Sequence, residues 1–131
     1  MAQDKWLELY EMKAELCKTF ADAKRLRIID ALRGGEKTVS ELVKLIGSSQ
    51  AVVSRHLMLL RDRGVVKARR EGVNMYYSLT DNKIGEACDL VHQVLLNQIQ
   101  KDRERAEKLG RLGLLQNSTR RGKWRTRAER P

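Results

Sequence analysis

A chain of 131 residues has room for one domain, and its 27 Lys and Arg against 17 Asp and Glu give a formal net charge of +10. An apolar content of 41% supports a modest core and excludes a wholly disordered chain. No apolar run approaches the ~18–20 residues of a membrane span, so a membrane partner is not expected. Residues 1–100 carry a net +3 and residues 101–131 a net +7, which places most of the excess near the C-terminus. Two Cys cannot build a disulfide framework, and residues 1–4 lack the basic start of a secretory signal. A reducing cytoplasm is therefore the expected setting, and a polyanion the default partner.

Residues 5–20 read as an amphipathic helix, with Leu9, Leu16 and Phe20 on one stripe and Tyr10, Ala14, Cys17 and Ala21 on its neighbour. Trp6 is expected to pack. Asp22 is placed to cap a second helix carrying Leu26, Ile29 and Leu32, ended by Gly34-Gly35. Thr38-Val39-Ser40-Glu41 has the capping-box spacing and opens a short third helix that stops at Gly47. Ser48-Ser49 then offers an N-cap for a fourth helix over about residues 50–63, ended by Gly64. Residues 65–70 and 75–79 are strand-like runs joined by the turn Glu71-Gly72-Val73-Asn74. Thr80 and Asp81 can start a long last helix with Ile84, Cys88, Val91, Leu95 and Ile99 on one stripe. The expected fold is mainly α with a small β-hairpin, and the third and fourth helices make a helix-turn-helix. The expected organisation is a domain over residues 1–110 and a basic tail over 111–131 that ends in an Arg-rich segment around Trp124.

The fourth helix has two faces. Val53, Leu57 and Leu60 belong to the core, which turns Gln50, Ala51, Ser54, Arg55 and Met58 outward. A helix fits the major groove of DNA with its first turns deepest. Gln pairs with adenine, Arg with guanine, Ala touches a thymine methyl, and Ser bonds bases or phosphate. The helix N-terminus at Ser48 and Ser49 favours phosphate through its free N–H groups. The hairpin adds Lys67, Arg69 and Arg70, suited to straddling phosphates or entering the minor groove. A solvated strand edge is the plainer use of such residues.

Several motifs together resemble the ArsR/SmtB family of winged helix-turn-helix repressors. They are Ala21-Asp22-Ala23-Lys24-Arg25-Leu26-Arg27-Ile28-Ile29, Gly35-Glu36-Lys37-Thr38-Val39, and Ser49-Gln50-Ala51-Val52-Val53-Ser54-Arg55-His56-Leu57. Gly64-Val65-Val66, Arg69-Arg70-Glu71-Gly72 and Tyr76-Tyr77-Ser78-Leu79 follow in the same order. The resemblance implies a winged helix-turn-helix that dimerises through its first and last helices. It also implies operator DNA as partner, and release of that DNA when an effector binds or a thiol is modified. On this reading Gln50, Ala51, Ser54 and Arg55 read bases, while Ser49, His56, Lys67, Arg69 and Arg70 hold phosphate or groove. Independently of the resemblance, the long apolar stripe of the last helix calls for a partner surface, and a two-fold dimer would present its two reading helices to successive major grooves.

The sensing site is less marked. One metal site of the family is a thiol pair in the segment Thr38-Val39-Ser40-Glu41-Leu42, which here has no Cys. The other uses Asp and His of the last helix; Asp89 and His92 are the nearest candidates, at a wider spacing and with no later His. No metal or other cofactor is expected. Cys17 and Cys88 lie on the first and last helices, and a disulfide or polysulfide link between them would alter the dimer. The runs around Gly35 and Gly72 are similar to the redox- and persulfide-sensing branch of the family. That branch has one thiol on the second helix, where this chain has Asp30 or a neighbour, and another later on the last helix. Each Cys also sits on an apolar stripe, where a buried thiol is an inert small hydrophobe.

The expected function is a sequence-specific transcriptional repressor, with thiol chemistry preferred to metal as its signal. The alternative is a winged-helix interaction and dimerisation module with no specific DNA site. Two His and two Cys, with no phosphate loop and no nucleophile motif, leave little material for an enzyme. An aromatic content of 5% offers little to stack single-stranded RNA.

Overall fold

The computed structural model describes residues 2–113. In chain order it forms α1 (Ala2–Thr19), α2 (Ala23–Leu32), β1 (Lys37–Thr38), α3 (Val39–Ile46), α4 (Gln50–Asp62), β2 (Val66–Glu71), β3 (Asn74–Leu79) and α5 (Lys83–Arg111). Residues 114–131, including Trp124 and the Arg-rich segment, lie outside the described residues.

Local chemistry sets the helix ends. Asp22 caps α2, its carboxylate accepting from Lys24 N at 2.9 Å and Arg25 N at 3.1 Å. Thr38 and Glu41 form a reciprocal capping box at the start of α3. Gly47 closes α3 in the left-handed region at φ 71°, a conformation that costs a residue with a Cβ 1 kcal/mol or more, on the order of. Arg27 finishes the same end from α2, donating to Ile46 O at 3.0 Å and Leu45 O at 2.8 Å. Ser49 then caps α4 by accepting from Val52 N at 3.2 Å.

The sheet has three antiparallel strands in the order β1-β3-β2. The hairpin expected from the sequence is β2–β3, with Glu71 opposite Asn74 across a two-residue Gly72-Val73 turn. Gly72 has φ 61° and no described non-glycine residue has a positive φ, the pattern of a II′ turn. The third strand corrects the two-stranded expectation. In β1, Lys37 pairs with Tyr77 and Thr38 with Tyr76. Two residues show no periodicity, and Thr38 serves both as strand end and as helix cap.

The described residues form two compact units, one up to Asp89 and one from Leu90. The core of the first gathers Ile28, Ile29 and Leu32 of α2, Leu42 and Ile46 of α3, Val53, Leu57 and Leu60 of α4, and Val65, Val66 and Leu79 of the wing. Full burial of each such side chain contributes about 1.5–3 kcal/mol. Phe20, Ile84, Tyr77 and Cys88 pack around this cluster. Among the described residues of the first unit, α1 keeps an exposed apolar face: Trp6, expected to pack, is 62% exposed, and Leu9, Tyr10 and Met12 are exposed beside it. Residues Leu90, Val94 and Leu95 of the second unit are exposed as well.

Arg33, just past α2, lies across the backbone of α5 at the buried Gly85 and reaches Asp89. A Cβ at Gly85 would overlap Arg33 Nε and sit 2.7 Å from its Cδ.

Candidate nucleic-acid interface

The position of α4 follows from its apolar spacing. Val53, Leu57 and Leu60 are fully buried, so the helix can lie only one way around. Gln50, Ala51, Arg55 and Met58 are exposed on the opposite side, and Ser54 is half-buried at its margin. Ser49 stands at the helix N-terminus, its hydroxyl already used as the cap. Side chains suited to base edges thus share one exposed face of a helix whose first turn is open.

His56 is placed elsewhere. It is half-buried and faces α2, with Nδ1 3.5 Å from Arg25 Nη1 and Nε2 3.9 Å from Asp22 Oδ1. Burial holds the ring below its ordinary pKa, Arg25 adding to the effect and Asp22 opposing it. The motif position of His56 suits either a structural or a phosphate-contacting role, and the ring lies toward Asp22 and Arg25, not with the exposed set of α4.

The wing divides its basic residues. Alternation along β2 puts Lys67 and Arg69 on one face and Arg70 on the other. Lys67 and Arg70 are exposed. Arg69 is held by the protein itself. Its Nη2 and Nε donate to Glu36 at 2.6 and 3.2 Å, its Nη1 donates to Glu71 at 2.7 Å, and the guanidinium stacks 4.8 Å from the centre of the Tyr76 ring. Arg69 in turn holds the Glu36 carboxyl below the usual carboxylate range. Glu36 and Tyr76 had no functional signal in the sequence; the only cue was the same-face spacing of Arg69 and Glu71 on one strand.

The sensing candidates are also separated by their surroundings. Cys17 is exposed on α1, and Cys88 is half-buried against the core; both are free thiols. Burial pushes the Cys88 thiol up, only partly opposed by the Arg33 guanidinium. Asp89 is gripped by Arg33 through both carboxylate oxygens. No group of three or more His, Cys, Asp or Glu is clustered for a metal among the described residues. Among them, too, no helix is long and apolar enough to cross a membrane.

A tight turn between α3 and α4, a core-anchored α4 and a β2–β3 wing define a winged helix-turn-helix protein. The family described as "Bacterial regulatory protein, arsR family" matches residues 22–68. An uncharacterized HTH-type transcriptional regulator of Methanocaldococcus jannaschii, MJ1325, is 35% identical over 89 residues, 67% of this chain and 100% of that protein. A transcriptional repressor SmtB homolog of Synechocystis is 40% identical over 78 residues, 60% of this chain and 59% of that protein. Among solved structures, the homodimeric winged helix-turn-helix DNA-binding domain of Mb0332 from Mycobacterium bovis superposes with a TM-score of 0.67. The two are 30% identical, over 75% of this chain and 91% of that one. The chain belongs to the ArsR family of DNA-binding transcriptional regulators, and is not an enzyme.

Proposed function

We propose that the protein is a cytoplasmic, homodimeric repressor that reads operator DNA with the exposed face of α4. The observation that carries this reading is the division of that helix. Three fully buried aliphatic residues fix its roll, and Gln50, Ala51 and Arg55 stand opposite them with Ser54 at the margin. Gln50 and Arg55 supply the bidentate donors and acceptors that distinguish base pairs, and Ala51 an apolar contact to thymine. Lys67 and Arg70 of the wing, with the α4 N-terminus at Ser49, add phosphate contacts. His56 supports that surface from within by bracing α4 against α2, while Arg69 is held back from phosphate by the carboxylates of Glu36 and Glu71.

The exposed apolar residues of α1 and α5 support dimerisation through those two helices, and the similar Mb0332 domain is homodimeric. For the signal, Cys17 is the exposed thiol and Cys88 the half-buried, less reactive one, and Arg33 already occupies the carboxylate of Asp89 that a metal site with His92 would need. A thiolate attacking a polysulfide takes up sulfur as the shortened polysulfide leaves with the bonding pair.

Fluorescence anisotropy on the gene's own upstream duplex, with random duplex as competitor, tests both parts. Reduced protein is expected to bind selectively, and polysulfide treatment to weaken that binding. Selective binding that treatment leaves unchanged removes the thiol signal and keeps the repressor; binding without selectivity favours an interaction module instead.

A further inference from the structure

We propose that Arg25 is a positioning residue that fixes the recognition helix α4 to the end of α1, and so sets the spacing at which two copies of α4 meet DNA. The proposal rests on α4 being the reading helix of a homodimer built on α1 and α5.

Three helices meet at the Arg25 guanidinium. Thr19 ends α1 and is 3% exposed, and its carbonyl accepts from Arg25 Nε at 2.7 Å. That carbonyl is among the last of α1, which have no partner within the helix. From the same planar group, Nη1 lies 3.5 Å from Nδ1 of His56, in the middle of α4. The N–H donor makes His56 Nδ1 the acceptor, so the neutral ring carries its proton on Nε2, toward Asp22. Asp22 caps α2 at Arg25 N itself. The His56 side chain is only 17% exposed, so this junction is shielded from the solvent that weakens surface pairs.

A second tie lies further along the same two helices. Glu15 of α1 pairs with Arg63 at 3.3 Å, and Arg63 is the C-cap of α4. His56 and Arg63 are about two turns apart along α4, roughly 10 Å. One attachment lets a helix pivot, whereas two fix its tilt. Both partners of the second tie are exposed, and Glu15 also pairs with Lys18 at 3.2 Å, so it is the weaker of the two.

These ties do not hold α4 in the fold. Burial of Val53, Leu57 and Leu60 does that, and it outweighs a few hydrogen bonds. The ties act on the angle between α4 and α1. In a dimer that uses α1, a small change of that angle is doubled by the two-fold axis. It then appears as a mismatch with major grooves roughly 34–36 Å apart.

The test uses the full chain and a duplex that the wild type selects from a randomised library, together with versions of that duplex whose half-sites are one base pair closer or further apart. Arg25→Lys keeps the charge but lacks the planar fork that reaches both Thr19 O and His56 Nδ1. It is expected to weaken binding to the selected duplex roughly tenfold. It should also narrow the preference among the three spacings and leave the salt slope unchanged. His56→Ala should act in the same way, and the double variant should lose no more than the larger single loss. Wild-type affinity and spacing preference in Arg25→Lys overturn the proposal. So does an equal loss on random duplex with a salt slope lower by about one, which makes Arg25 a phosphate contact. If Arg25→Lys fails to fold, Glu15→Gln decides: a smaller relaxation of spacing preference supports the proposal, and an unchanged preference overturns it. A wild type that selects no sequence overturns the reading of α4 itself.

Discussion

Arg33 and Asp89 join the end of α2 to the first turns of α5 by two parallel bonds, Nη1 to Oδ1 at 2.5 Å and Nη2 to Oδ2 at 2.8 Å. The residues are 56 positions apart. The guanidinium reaches across because Gly85 presents bare backbone beneath it. The pair is partly exposed, so its own contribution to stability is modest, about 0–1 kcal/mol.

Gly85→Ala tests that passage. The added methyl overlaps the Arg33 side chain and must push it aside or shift α5. A loss of about 1–3 kcal/mol is expected. Asp89→Asn should cost less than Gly85→Ala, since it removes charge without overlap. Denaturant unfolding of the two variants measures the order, and a Gly85→Ala protein as stable as wild type contradicts this account of the glycine.

Glu36→Gln releases half of the cage around Arg69. The pair is exposed, so unfolding should change by no more than about 1 kcal/mol. The cation is then less committed to carboxylates and more available to phosphate. On a random duplex the variant should bind more tightly, with a salt slope steeper by up to about one. Weaker binding with an unchanged slope would show that the cage serves DNA by holding the wing in shape.

Much of this architecture was legible in the sequence because it is local. The Asp22 cap, the Thr38–Glu41 capping box, Gly47 and the buried stripe of α4 each depend on residues within a few positions of one another. The strand β1 was not legible, because two residues carry no pattern. The Arg33–Asp89, Glu36–Arg69 and Arg25–His56 contacts join residues 56, 33 and 31 positions apart, and nothing in a charge's neighbours names so distant a partner. For the same reason the exposed face of α4 is legible from its apolar spacing, whereas the inward partners of His56 and Arg69 are not.

His56 gives the protein a defined pH dependence. Burial lowers its pKa from the ordinary value of 6.5, so the folded state prefers the neutral ring. The stabilisation is complete above the unfolded value and is lost as pH falls through the folded one. The lowered carboxyls of Asp22, Glu15 and Glu36 lose their contributions only in more acidic solution, below their ordinary values of 3.8 and 4.5. Unfolding free energy should therefore decline as pH falls below the ordinary value of 6.5, and His56→Gln should flatten that decline. Parallel profiles for the two proteins would assign the decline to other groups.

Cys88 should resist alkylation near neutral pH. Its thiol is half-buried and pushed above its ordinary pKa, so little thiolate is present. Mass spectrometry of the reduced protein with iodoacetamide should show modification of Cys88 lagging that of an unstructured thiol peptide, the lag shrinking as pH rises. Equal rates at neutral pH would mean that its site opens readily.

The most direct test of the central claim compares wild type and Arg55→Ala on a duplex selected by the wild type and on random duplex, at one fixed salt concentration. Wild-type protein is expected to bind selectively. Arg55→Ala is expected to lose about 1–3 kcal/mol on the selected duplex, with relaxed base preference and little change on random DNA. Wild-type protein that binds both duplexes equally would contradict the reading of α4 as a base-reading helix.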